Sequence, residues 1–166
     1  NVITYGNIDE TGLWTKSNTA GNCNLNGGVI TGANVHGVKI YTTSNFNMYG
    51  GNIAGNTSTN SIGEKDGGGI YAEGSNRVSM YGGSITGNTA PDGNGGGLSL
   101  YNGEFYMHGS SRMEGNKTRN GGGVYLENGS ESYIYGGYIT NNTATENGGG
   151  VYVGQDVSLT LSISYD

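Results

Sequence analysis

GGGIYAEGSNRVSMYGGSITGNTAPDGN, residues 67–94, is one copy of a motif that recurs along most of the chain. It returns as GGGLSLYNGEFYMHGSSRMEGNKTRN from Gly95 and as GGGVYLENGSESYIYGGYITNNTATEN from Gly121. A shortened copy, GGGVYVGQDVSLTLSISYD, begins at Gly148. The triplets start at 67, 95, 121 and 148, in steps of 28, 26 and 27 residues. Self-similarity at such a period marks a solenoid. Each copy holds three short apolar pieces, which in the copy from Gly67 are GIYA, VSMYG and SIT. In the first two, apolar residues alternate with others, which is a strand pattern and not a helical one. Three strands per turn, joined by Gly, Asn, Ser and Thr corners, make a triangular coil of about 26–28 residues. Coils stacked at ~4.8 Å pair each strand with its equivalent in the next copy. The expected fold is therefore all-β, a parallel β-helix with three short strands per coil.

Aligning the copies predicts which residues stack. One inward file reads Val38, Ile70, Leu98, Val124, Val151, and a second reads Ile40, Ala72, Leu100, Leu126, Val153. A third reads Leu25, Met48, Met80, Met107, Ile134, Leu161, and a fourth reads Ile30, Ile53, Ile85, Met113, Ile139. These files nearly exhaust the aliphatic residues, so a chain only 33% hydrophobic still builds a core as a thin continuous column. Gly50-Gly51, Gly82-Gly83 and Gly136-Gly137 suit a corner that needs positive φ or leaves no room for a Cβ. The third corner carries Asn56, Asn88, Asn116 and Asn142, a spacing that suits a ladder of side-chain amides. Cys23 falls in an inward file with Phe46, Val78, Phe105, Ser132 and Leu159, where it reads as a small buried hydrophobe. One cysteine allows no internal disulfide.

Two units follow from this pattern. Residues 1–22 form an irregular N-terminal coil or cap containing the single tryptophan, Trp14, and residues 23–166 form the repeats. No run of 18 apolar residues occurs, which excludes a helical membrane span. The chain opens on Asn with no signal-peptide pattern, as a mature product or an excised fragment would. The corner TSTNSIGEKD, between Asn56 and Gly67, is longer than the equivalent TAPDGN, KTRN and TATEN. Such length variation is either a tolerated surface insertion or a place for function. The closing VSLTLSISYD alternates Val157, Leu159, Leu161 and Ile163 with hydroxyls, and its edge invites either further coils or end-to-end self-association.

The net charge of −6 makes nucleic acid and anionic membrane poor partners. No metal-ligand spacing, cofactor motif or nucleophile–His–acid set occurs, and His36 and His108 stand apart. The best catalytic candidates are Glu73 and Glu127, in one file but two coils apart with Tyr101 between them. Two coils is ~10 Å, slightly beyond the carboxylate spacing of inverting hydrolases. Asp66, Asp92 and Glu146, with Lys117 and Arg119 in the intervening copy, read as a charge ladder across coils. Two outward files are aromatic: Asn26, Tyr49, Tyr81, His108, Tyr135 and Lys39, Tyr71, Ser99, Tyr125, Tyr152. Exposed rings at strand spacing make a face on which sugars stack or proteins dock. The structural alternative is that like rings stack on one another. Thr31, Thr86 and Thr140 beside Thr57, Thr89 and Thr143 resemble a water-ordering array, as in ice-binding solenoids, but Ala54, Glu114 and Lys117 interrupt it.

The pattern GGG[IVL]Y…MYGGxITGNTA resembles the right-handed parallel β-helix repeats of large bacterial surface and secreted proteins, of the adhesin-like or pectin-lyase-like kind. It is also similar to the GGA[ILV] and FxxN repeats of polymorphic outer-membrane autotransporters, with GGG in place of GGA and no FxxN. The resemblance runs from Cys23 to the end. It implies a right-handed coil and an extracellular or cell-surface location. The sequons at Asn56, Asn116, Asn128 and Asn141 matter only in a eukaryotic secretory pathway. The function expected is a non-catalytic scaffold or adhesive surface for glycans or host-surface proteins. A β-helix polysaccharide lyase or glycoside hydrolase is the alternative.

Overall fold

Alternation within each apolar piece sends every second side chain to the same side of a strand, and stacking then lines those side chains up. The computed structural model describes residues 2–5, 13–17, 21–59 and 64–162. Among them there is no helix, and every strand pairs in parallel with its equivalent one coil away. The first sheet holds Leu13–Ser17, Val38–Thr42, Ile70–Glu73, Leu98–Tyr101, Val124–Glu127 and Val151–Val153. The second holds Asn22–Leu25, Asn45–Met48, Arg77–Met80, Glu104–Met107, Glu131–Ile134 and Ser158–Leu161. The third holds Val2–Tyr5, Gly28–Thr31, Asn52–Ala54, Ser84–Thr86, Arg112–Glu114 and Tyr138–Thr140. The chain is thus a parallel β-solenoid. Within the N-terminal segment, Val2–Tyr5 and Leu13–Ser17 extend two of these sheets. Residues 1, 6–12 and 18–20 of that segment, residues 60–63 of the long corner and Ile163 lie outside the described residues.

All four inward files come together in the expected register, although Val153 and Leu161, which end two of them, are exposed because no further described coil covers them. Met48 pairs with Met80, Met80 with Met107 and Met107 with Ile134, and the three methionines are fully buried. Ile30, Ile53, Ile85 and Met113 form the matching column from the third sheet, and Ile40, Ala72, Leu100 and Leu126 the one from the first. Cys23 pairs with Phe46, and burial pushes its thiol pKa up, as fits an inert side chain.

The Asn file is a continuous amide column. Asn56 Nδ2 donates to Asn88 Oδ1 (3.0 Å), Asn88 to Asn116 (3.0 Å) and Asn116 to Asn142 (2.9 Å). Each amide also donates to a carbonyl of the third sheet, and each Oδ1 above accepts the backbone N–H of the Asn below. The third glycine of each triplet makes room for it. A Cβ on Gly97 would stand 3.1 Å from Asn116 Nδ2 and 2.5 Å from the Gly123 carbonyl oxygen. Because Asn56, Asn88 and Asn116 are fully buried, the sequons at Asn56 and Asn116 are closed.

A feature beyond three strands per coil appears at the variable corner. Thr89–Asn94, Lys117–Asn120 and Thr143–Asn147 form a fourth, short parallel sheet, with a register shift in each pairing. The residue before each triplet builds a second amide column there. Asn147 Nδ2 donates to Asn120 Oδ1 (3.0 Å), Asn120 to Asn94 (3.0 Å), and Asn94 to the Asp66 carboxylate (3.4 Å). Asp66 is therefore the foot of an amide column and not a rung of a charge ladder. The nearest approach to the expected ladder is Arg119 Nε to Glu146 at 3.9 Å.

Truncating Asn88 would leave buried donors and acceptors on both neighbouring coils without partners, at about 1–3 kcal/mol each. Asn88→Ala is expected to lower unfolding free energy by about 3 kcal/mol or more in chemical denaturation. Asn45→Ala, which removes the exposed Asn45–Asn22 bond (3.0 Å), is expected to cost less than about 1 kcal/mol.

Candidate functional site: the outer face of the second sheet

The outward residues of the second sheet form three files. The file farthest along the strands is Tyr49, Tyr81, His108, Tyr135, and its rings stack at 5.1 Å between successive centroids. Tyr49 is 53% exposed, Tyr81 46% and Tyr135 42%. The middle file adds Tyr106 and Tyr133, stacked at 4.9 Å and in ring contact with His108 and Tyr135. The third file is Asn45, Arg77, Glu104, Glu131, paired in register. Arg77 Nε and Nη2 both reach Glu104 Oε2, at 2.8 and 2.7 Å, and the guanidinium lies over the Tyr106 ring at 5.1 Å. The Tyr133 hydroxyl donates to Glu131 at 3.1 Å. Burial and Glu104 push the Tyr106 hydroxyl pKa up, and the Glu131 carboxylate does so for Tyr133.

Rings about 5 Å apart along a sheet cannot lie flat side by side, so they stand on edge and cover one another's faces. Both readings of the first aromatic file therefore meet in the structure: the rings stack on one another, and they are exposed. The surface is a comb of ring edges and phenolic hydroxyls. It offers hydrogen bonds and shallow apolar slots instead of open ring faces. The Arg77–Glu104–Glu131 file gives no signal within a single copy. It emerges only when the residue before each inward Val78, Phe105 and Ser132 is compared across coils.

The other aromatic file does not reach solvent as expected. Tyr71 and Tyr125 are each only 9% exposed, Lys39 and Ser99 are buried, and Tyr152 is half-buried. The corner before each triplet folds back over the first sheet. A Cβ on Gly67 would stand 2.7 Å from Tyr71 Cβ, and one on Gly121 2.8 Å from Tyr125 Cβ. Gly67 and Gly121 sit at φ of 66° and 67°, which lets the chain turn back this closely. Glu73 and Glu127 share a file with Tyr101 between them, as aligned. Each accepts the hydroxyl of the tyrosine two residues earlier: Tyr71 to Glu73 at 2.8 Å and Tyr125 to Glu127 at 2.7 Å. Burial and then these carboxylates push both hydroxyl pKa values upward.

The long corner docks on the same sheet through its acids. Glu64 pairs with the Lys39 ammonium and accepts the Tyr41 hydroxyl (3.1 Å), and Asp66 accepts the Tyr101 hydroxyl. His36 is fully buried and stacks on Tyr71 at 5.0 Å. Its Nδ1–H donates to the Gly67 carbonyl at 3.1 Å, and Nε2 faces Glu64 at 3.5 Å. Burial is the main cause that lowers the His36 pKa below 6.5. Burial alone would raise the Glu64 carboxyl, but Lys39 and the Tyr41 hydroxyl overcome it and hold the pKa below the ordinary 4.5. Burial and Glu64 push the Tyr41 hydroxyl up to about 12.

Residues 136–154 match the Chlamydia polymorphic membrane protein repeat. The matched stretch runs from the Gly136-Gly137 corner through Asn142 and the last triplet to the end of the strand Val151–Val153. No curated protein and no solved structure matches the chain.

The docked corner is expected to loosen in acid. A histidine with a lowered folded pKa takes its proton more readily once unfolded, so its contribution is complete above pH 6.5 and declines below it. The lowered Glu64 acts in the same direction, starting near 4.5. Melting midpoints measured across pH should be level near neutrality and fall below 6.5. His36→Gln should delete the upper part of that fall and keep the lower part.

Proposed function

We propose that the chain is a rigid, non-catalytic segment of a bacterial surface protein, with the ring comb of the second sheet as its contact face. The polymorphic membrane protein repeat at residues 136–154 supports a cell-surface or outer-membrane setting. The observation that carries the contact face is six stacked rings, Tyr49, Tyr81, Tyr106, His108, Tyr133 and Tyr135, on the outer side of one parallel sheet. Tyrosines held by stacking on their neighbours suit a binding surface of low ordering entropy. The partner class is a glycan or a host-surface protein, met by hydroxyls and ring edges. Glu73 and Glu127 act on this reading as anchors for Tyr71 and Tyr125.

Tyr81 is stacked between Tyr49 and His108, so removing it interrupts the comb at its middle. On a glycan array with a host-cell adhesion assay beside it, Tyr81→Ala should weaken capture about tenfold. The melting midpoint should barely change, because the ring is half exposed. Undiminished capture by Tyr81→Ala would remove the face from consideration. Turnover of a polysaccharide that is lost in Glu73→Gln or Glu127→Gln would replace the reading with an enzymatic one.

A further inference from the structure

The ring comb of the second sheet has a constant pitch. From Tyr49 to Tyr81, Tyr81 to His108 and His108 to Tyr135, successive centroids are 5.1 Å apart at every step. Tyr106 and Tyr133 beside them repeat the step at 4.9 Å. The backbone fixes this pitch, because the N–H groups of Tyr81, His108 and Tyr135 donate to Met48, Met80 and Met107 of the preceding coil. The rings therefore run along the solenoid axis, one per coil. In the same register Asn26 precedes the file and Ser162 follows it, so the track is four rings long. A ligand lying along it meets a ring edge and a polar ring atom once per coil. It gains from every coil only if its own repeat keeps step. An extended peptide advances ~3.3 Å per residue. A polyproline II segment advances ~3.1 Å per residue. Neither sets one residue on each ring. A β-1,4-linked pyranose chain does so, because its links leave opposite ends of the chair equatorially and carry the chain forward by about one coil spacing per sugar. An α-1,4 link curls the chain and shortens that advance.

We infer that the comb is a track for an extended β-1,4-linked glycan lying parallel to the solenoid axis, with one sugar on each ring of the Tyr49–Tyr135 file. This rests on the glycan reading of the face and narrows it to a linkage. The hydroxyls of Tyr49, Tyr81 and Tyr135 and the His108 imidazole exchange hydrogen bonds with the equatorial hydroxyls along the sugar rim. The ring edges meet the C–H groups between them. Each such contact is weak at an exposed site, so affinity comes from repetition over the four coils. Tyr81 and His108 are each held between two neighbouring rings, so the pitch exists before any ligand arrives.

The test is calorimetric titration of the intact chain at neutral pH with glucose oligomers that differ only in linkage, β-1,4 against α-1,4, from disaccharide to hexasaccharide. A β-1,4-linked N-acetylglucosamine series serves as a second probe. At the tetrasaccharide, both β-1,4 series should bind about tenfold tighter than the α-1,4 series. Their affinity should climb to the tetrasaccharide and then level, as four rings require. Tyr81→Ala leaves only the His108–Tyr135 pair contiguous. The gain from the third and fourth sugars should then vanish, with the melting midpoint barely moved. Equal affinity for the two linkages overturns the track and leaves the contact face standing. So does a gain with length that survives Tyr81→Ala. Silence toward both β-1,4 series, with a positive glycan array or adhesion assay, likewise overturns the track alone. Silence in every one of these assays overturns the contact face as well.

Discussion

The fit of glycine against asparagine at one corner is the constraint on which the other layers rest. A Cβ on Gly37, Gly69, Gly97 or Gly123 would fall 2.7–3.1 Å from the Nδ2 of Asn56, Asn88, Asn116 or Asn142. The amide column can exist only because nothing projects from those glycines. The column in turn holds adjacent coils at one fixed spacing, since an amide bond of 2.9–3.0 Å tolerates little stretch. Everything outside inherits that spacing. The rings of the second sheet stand on edge because the coils beneath them are too close for them to lie flat.

Most of the interior is legible in the amino-acid order alone. Period-two alternation separates inside from outside, and equal repeat length aligns like with like, so Met48 falls on Met80 and Asn88 on Asn116. The outer layer is less legible, for a definite reason. Alternation states which way Tyr71 and Tyr125 point but says nothing about what lies above them. That depends on the path of TAPDGN, KTRN and TATEN, whose differing lengths hide their common strand and its register shifts. The second amide column is hidden for the same reason, although Asp66, Asn94, Asn120 and Asn147 each stand directly before a triplet. Arg77, Glu104 and Glu131 share a file but differ in type, so repetition does not reveal them.

The outer surface of the second sheet changes character along the axis. Near the N-terminal coils it carries amide pairs, Asn22 with Asn45 and Asn24 with Asn47. It becomes aromatic from Tyr49 to Tyr135 and then turns to hydroxyls at Ser158 and Thr160. The interior is nearly constant over the same distance. The outer letters thus change from coil to coil while the inner ones do not, which is how a repeat scaffold can carry a local site.

The two amide columns run in opposite senses. In one, each Asn donates toward the C-terminal neighbour, and in the other, each donates toward the N-terminal neighbour. Their dipoles therefore oppose each other along the axis. A chain of amides also needs something to close it, and a carboxylate, which only accepts, is suited to the receiving end. Asp66 occupies that end, taking the Asn94 amide and the Tyr101 hydroxyl. Asn before a triplet thus acts as a link and Asp as a stop. The coils are consequently not interchangeable parts: the one bearing Asp66 fits only where the second column begins.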